Sequence, residues 1–311
     1  MKKKKHIYGP VPSRRLGRSL GVSPIPVKTC NYACNYCMLG ATSPLINEPK
    51  EWFPLEEILS ELKEVLARSV AYDTITICGE GEPTLYAPLK ELIDALRQLQ
   101  NKPIAVITNG ATMDRPEVRQ ALLQADLVLP SLEAADEATW RTIHHPHPSL
   151  SFSALQKGLE DFCADFDGLL WLEVMLLGGI NDGDAEIEAL RKLIKKLNPD
   201  RVYINTPVRP PADPRVRMPQ TDRIAYAVEQ LGGIALDFLA DPRFTSVEED
   251  PLAAVLTICK RHPMNQYEIT HFAKELGVKD LPDFFRRLEA QEAVEKITYQ
   301  SISSYRNHQE D

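Results

Sequence analysis

The chain has 311 residues, 43% of them hydrophobic and 26% charged, too apolar for a disordered polymer and without the glycine period of a fibre. No window approaches the ~18 consecutive apolar residues that a spanning helix requires; the richest, residues 169–180, carries Glu173 and two glycines, so no membrane contact is expected. The formal charge of −8 is segregated: the first 30 residues hold eight Lys or Arg and no acid, and all 44 acidic side chains lie beyond them.

Residues 1–18 read as a basic arm that opens with a solvated lysine run. Pro10 and Pro12 follow where a secretion signal would place its apolar region. A cytoplasmic location is expected. From residue 19 onward, short runs rich in Val, Ile and Leu alternate with segments of helical period, the pattern of βα units on a parallel sheet. Strands are predicted at 19–25, 73–78, 103–108, 126–131, 169–177 and 201–206. Between the first two, Leu55, Ile58, Leu59, Leu62, Val65 and Leu66 recur at spacings of three and four, the stripe of an amphipathic helix with Pro54 at its start. Residues 184–197 behave alike and stop before Pro199. Six units predict an α/β fold, a partial (β/α)6 TIM-like barrel over residues 1–240.

Five prolines between residues 207 and 219 make a stiff connector, and a second break marks a linker at 241–251. Helices predicted at 252–260, 266–276 and 281–290, then a ribbon at 294–305, give residues 252–311 the order of a winged-helix-like module. Eight basic and nine acidic residues at 251–311 make a poor phosphate footprint, so RNA contact and protein docking both stand as roles for it.

Three of the six cysteines, Cys30, Cys34 and Cys37, fall within eight residues just after the first strand. In a reducing compartment such crowding points to metal rather than disulfides. The spacing C-x3-C-x2-C suits thiolates that each bind a separate iron of a cubane cluster, whereas a structural zinc would want a fourth protein ligand. No second Cys or His pair stands at finger-like spacing. Three ligands on four irons leave one iron open.

This loop, with Tyr36 directly before the last cysteine, resembles the signature of the radical S-adenosylmethionine (radical SAM) enzymes. The resemblance implies a [4Fe-4S] cluster on Cys30, Cys34 and Cys37 whose open iron chelates the amino and carboxylate groups of S-adenosylmethionine. It further implies reductive cleavage to methionine and a 5′-deoxyadenosyl radical that abstracts hydrogen from a substrate, with an electron donor such as flavodoxin or ferredoxin. A second segment, Gly79-Glu80-Gly81-Glu82-Pro83-Thr84, stands where the family carries a Gly-Gly-Glu-Pro turn that meets the cofactor's ammonium, with Glu80 replacing the first glycine of the pair. By the same likeness Tyr36, Gly79, Gly81, Glu82 and Pro83 are expected to bind the cofactor. So are Asn109, Ser131, Glu173 and Asn205, at or near the carboxyl ends of later strands, the edge that carries active sites in such folds. Glu133 and Arg209 accompany them. A carboxylate such as Glu173 in an apolar strand is costly unless it faces a polar cavity.

His144-His145-Pro146-His147 reads as a surface loop, and Cys78, Cys163 and Cys259 as buried thiols. The segment from Tyr8 to Gly21 narrows the likeness to a short single-cluster group placed near the wyosine-tRNA synthases, over roughly residues 7–240. Unlike those synthases the chain has no second cysteine cluster. Arg14, Arg15 and Arg18 either hold an anionic substrate or pair with acids on the barrel wall. The leading expectation is therefore a radical enzyme acting on RNA or protein. Alternatives are a glycyl-radical activase and an iron–sulfur redox sensor that binds nucleic acid. No catalytic side chain is assigned.

Overall fold

The computed structural model describes residues 6–236, 244, 248, 250–299 and 302–307. The lysine run and most of the linker segment 241–251 lie outside the described residues. Eight strands form one sheet in strict sequence order: β1 (Ile7–Ser13), β2 (Gly17–Val22), β3 (Thr74–Ile77), β4 (Ile104–Thr108), β5 (Leu127–Pro130), β6 (Leu169–Met175), β7 (Arg201–Asn205) and β8 (Ile234–Ala235). β1 runs antiparallel to β2, and every later neighbour is parallel. The helices α1 (Leu55–Leu66), α2 (Leu89–Leu99), α3 (Pro116–Leu122), α4 (Glu137–His144), α5 (Phe152–Asp165), α6 (Asp184–Leu197) and α7 (Thr221–Leu231) fill the crossovers. This is a partial TIM-like barrel, and β2 to β7 are the six strands expected from sequence.

The strands read as near-continuous apolar runs because both faces are covered. One face, with Leu20, Val22, Ile75, Ile77, Ile104 and Val106, packs under α1 and α2 through Ile58, Leu62, Leu92 and Leu96. The alternate residues, including Ala105, Leu127, Leu129, Trp171 and Tyr203, form a separate inner cluster, as a period of two requires. Polar groups interrupt this inner face. Ser19 Oγ and Thr76 Oγ1 share a hydrogen bond of 2.6 Å.

Residues 7–13, read as part of a basic arm, form β1. Pro10 and Pro12 lack the N–H of a ladder donor, which a strand paired on only one side tolerates. β8 is too short to leave a periodic trace in the sequence.

Beyond the barrel come α8 (Pro251–Cys259), β9 (Met264–Asn265), α9 (Gln266–Glu275), α10 (Leu281–Glu289), β10 (Val294–Tyr299) and β11 (Ile302–Asn307). The three strands make a small antiparallel sheet in the order β10-β11-β9. A capping box starts α9, with Asn265 and Glu268 each accepting a backbone N–H of the other. Val255, Ile258, Phe272, Phe284, Leu288 and Tyr305 build a core of their own, against which Val11 of β1 packs. Arg209, after β7, forks onto Glu268 at 2.6 and 2.7 Å. Among the described residues no helix is long and apolar enough to cross a membrane.

Candidate active site

The cysteine loop leaves the carboxyl end of β2 and is pinned to the end of α4 by backbone bonds. Ala33 N donates to His144 O, Asn35 N to Ile143 O, and His147 N to Asn31 O, at 2.9, 2.9 and 2.8 Å. Tyr32, fully buried, stacks on His144 and accepts the Trp140 indole N–H at 2.9 Å. The loop is thus held by local chain on one side and by α4 on the other.

Cys30, Cys34 and Cys37 are half-buried free thiols. Burial, followed by the Glu82 charge, pushes the Cys30 thiol up to about 12. Burial and then the charges of Cys30 and Cys37 likewise raise Cys34. Each sulfur has a nitrogen beside it: Asn109 Nδ2 lies 3.7 Å from Cys30 Sγ, His144 Nδ1 3.2 Å from Cys34 Sγ, and Lys28 Nζ 3.7 Å from Cys37 Sγ. Lys28, at a positive φ of 59°, also donates from Nζ to Gly40 O, bracing the far end of the loop.

The turn after β3 is clamped to the same loop. Glu82 N donates to Thr29 O at 2.8 Å, and Lys28 N donates to Glu80 O. A Cβ added to Gly81 would fall 2.0 Å from Thr29 O, so only glycine admits this approach. Gly81 thereby brings the turn into close contact with the cysteine loop. Gly79 is crowded by Ser23 Oγ, 2.5 Å from its imagined Cβ. Pro83 opens a single 3-10 turn, Pro83–Leu85, capped by Glu82.

Glu82 is buried, and its Oε1 accepts from Thr84 N, Thr84 Oγ1 and Thr108 Oγ1 at 3.0, 2.7 and 2.6 Å. Its Oε2 accepts from Asn109 N at 2.7 Å. Burial nevertheless raises its carboxyl above the ordinary range. Asn109 completes the junction, donating from Nδ2 to Asn31 Oδ1 at 2.7 Å.

Tyr36 directs its hydroxyl to Glu133 Oε1 at 3.1 Å. Ser131 continues β5 through an isolated bridge to Glu173. On the inner face Glu173 pairs with Arg15, and its Oε1 accepts from Asn205 Nδ2 at 3.0 Å. Burial lowers the Arg15 guanidinium to about 10. Of the readings left open for the N-terminal arginines, pairing with acids is displayed by Arg15 and Arg18. Arg18 forks onto Asp73, and Arg14 donates to Leu236 O at 2.8 Å.

One expectation is overturned. His144 does not belong to a surface loop: it is the last residue of α4 and only 3% exposed, while His145 beyond it is exposed. A run of histidines beside Pro146 gives no sign that α4 turns its last ring inward onto a cysteine 110 positions earlier. Lys28 and Asn31 were also missed; only their nearness to the cysteines could have marked them. Cys78 lies on the inner face with its Sγ 2.8 Å from Tyr8 Oη, whereas Cys163 and Cys259 pack in apolar surroundings.

Three soft donors on a pinned loop, each beside a nitrogen, fit an iron–sulfur group. Among the described residues no three His, Cys, Asp or Glu converge closely enough to hold a single metal ion. Residues 25–194, which span the loop, the turn and the four strands β3 to β6 with their helices, match the model of the Radical SAM superfamily. The chain belongs to that superfamily. Radical SAM proteins are enzymes that typically bind a [4Fe-4S] cluster and S-adenosylmethionine, so the chain is an enzyme of radical SAM type. It is similar to the UPF0026 protein of Methanocaldococcus jannaschii, at 35% identity over 87% of this chain and 87% of that one. It also resembles a Brachyspira hyodysenteriae protein called GTPase Obg, at 43% identity over 67% of this chain, which spans 30% of that relative's length. Among solved structures, Streptococcus suis SuiB bound to the precursor peptide SuiA matches with a TM-score of 0.50 and 16% identity. That match covers 70% of this radical SAM chain and 47% of SuiB and concerns the fold alone.

Proposed function

We propose that Cys30, Cys34 and Cys37 hold one [4Fe-4S] cluster and that the turn Gly79 to Pro83 seats S-adenosylmethionine beside it. When bound, the pair supplies reductive cleavage of the sulfonium bond and a 5′-deoxyadenosyl radical able to abstract hydrogen from a substrate. The observation that carries this reading is the interlock of Thr29 with Gly81 and Glu82, which fixes the sulfur donors and the turn as one unit. Thiols raised by burial must lose their protons on metal binding, and the nitrogens of Asn109, His144 and Lys28 stand ready to stabilise the resulting charge. Glu82 Oε2 accepts a single described bond, which leaves capacity for an ammonium donor. Tyr36 and Asn109 line the cluster side, and Ser131, Glu173 and Asn205 the inner face of the barrel. Arg15 neutralises Glu173 there, so that face offers a neutral, hydrogen-bonding floor.

We read residues 252–311 as a winged-helix-like module that meets a polypeptide substrate or partner. Its charges balance and many are already paired: Arg286 with Asp283, Lys296 with Glu289 and Arg306 with Glu295. An RNA would need unpaired cations. The free thiols suit a reducing, cytoplasmic compartment.

The test is anaerobic reconstitution, an iron count, and reduction by dithionite with S-adenosylmethionine. Four irons and 5′-deoxyadenosine are expected from the native chain, with both lost in Cys30→Ala, Cys34→Ala and Cys37→Ala and the iron retained in Cys78→Ala. Iron without 5′-deoxyadenosine would favour a redox sensor, and stoichiometric zinc would overturn the cluster. Anaerobic capture that enriched RNA over protein would overturn the polypeptide reading.

A further inference from the structure

The His144 ring is held at both nitrogens. Nδ1 lies 3.2 Å from Cys34 Sγ, and Nε2 lies 3.2 Å from Glu133 Oε2. Glu133 is 2% exposed and is fixed in turn, accepting the Tyr36 hydroxyl at Oε1 and the Asn181 Nδ2–H at its backbone carbonyl. Two aromatic rings pack against the imidazole as well. Tyr32 stacks on it at 4.7 Å between centroids, and Tyr36 meets it nearly edge-on at 6.1 Å. Rotation of the ring would break both polar contacts inside a packed site, so the direction in which Nδ1 points is set by the fold.

A sulfur that ligates iron has given up its proton and can only accept a hydrogen bond. A ring nitrogen 3.2 Å away must then be the donor. Building on the cluster reading above, we propose that His144 is a positioning residue which, oriented by Glu133, donates its Nδ1–H to the Cys34 sulfur and raises the reduction potential of the cluster. The physical ground is that a hydrogen bond to a ligating sulfur draws electron density from it and favours the reduced, more negative state. The neighbours of Cys30 and Cys37, at 3.7 Å, are longer contacts from an amide and a flexible lysine. Of these three side-chain nitrogens the imidazole is the nearest to its sulfur and the one backed by a buried carboxylate.

The experiment is a redox titration of anaerobically reconstituted protein followed by EPR, with iron counted in every sample. His144→Phe keeps an aromatic face for Tyr32 and removes the donor. It is expected to retain four irons and, at the native midpoint, to show about a tenfold lower ratio of reduced to oxidised cluster, equivalent to ~59 mV for a one-electron couple. His144→Gln, whose amide can still donate, is expected to recover most of that ratio. Pulsed EPR of the reduced native protein carrying 15N-histidine gives a readout that needs no variant: a nitrogen coupling to the cluster is expected. Four irons in His144→Phe with an unmoved midpoint, or no histidine coupling in the native protein, would overturn the assignment of His144 while leaving the cluster in place. A native chain that takes up no iron would instead overturn the cluster reading itself, and this inference with it.

Discussion

The Glu80 carboxylate lies 3.4 Å from the Arg261 guanidinium, joining the turn after β3 to the segment that follows α8, with both side chains nearly buried. Glu80, which by the resemblance stands where a glycine is expected, is thus the residue of this turn that reaches the segment between α8 and β9. The same guanidinium covers the Tyr8 ring, 4.8 Å from its centroid. Removing one member of a buried ion pair is costly, because the other charge loses its compensation. Arg261→Ala is expected to destabilise the protein by about 3 kcal/mol. Glu80→Gln, which keeps an acceptor for the guanidinium, should cost about 1 kcal/mol. Urea unfolding measures both, and equal losses would contradict the pairing.

Gly81 gives the sharpest steric test. A methyl group there meets the Thr29 carbonyl at 2.0 Å, backbone against backbone, and neither side can swing away. Gly81→Ala should cost on the order of 1–3 kcal/mol by overpacking and displace the loop enough to lower iron uptake on reconstitution. Gly79→Ala meets the rotatable Ser23 hydroxyl at 2.5 Å and the Ser23 Cβ at 3.2 Å, with no backbone carbonyl in the way, and should be milder. An alanine at 81 with native iron content and native melting would contradict the interlock.

Glu82 joins its neighbours through four accepted hydrogen bonds. Glu82→Gln turns one oxygen into a donor facing other donors, and loss of a charge-assisted bond of this kind costs about 2 kcal/mol. A lower thermal midpoint is expected together with weaker S-adenosylmethionine binding. A drop in affinity with unchanged melting would remove the bracing role.

His262 predicts a pH dependence. Burial, then the charge of Arg209, push its imidazole well below the ordinary 6.5, and Arg209 Nη2 lies 3.0 Å from its Nε2. The unfolded chain therefore takes up a proton that the folded chain refuses. Stability is full above about pH 6.5 and falls as the pH drops below it. Thermal midpoints from pH 7.5 to 5.5 should show this decline in the native protein, with a flatter profile in His262→Gln. Identical slopes would place the titration elsewhere.

Much of the barrel was legible in the sequence because its strands are covered on both faces and its helices carry apolar stripes. α1 and α6 were readable almost to the residue from Leu and Ile spacings closed by Pro54 and Pro199. β1 was not, since Pro10 and Pro12 argue against a strand until its place at the sheet edge is known. The cysteine motif and the turn were plain because their information is local. Arg15 with Glu173, Arg261 with Glu80 and His144 with Cys34 were invisible for the opposite reason: each pairs residues more than 100 positions apart, and a linear pattern carries no trace of such a meeting.

The pinning of the cysteine loop to α4 bears on how small a working fragment can be. A peptide excised around residues 28–40 would carry all three sulfurs, yet it would lack the α4 carbonyls that accept from Ala33 and Asn35 and the Thr29 clasp on Gly81. Freed of those restraints, its thiols would wander, and a synthetic maquette built from the motif alone would reproduce the ligands without their surroundings.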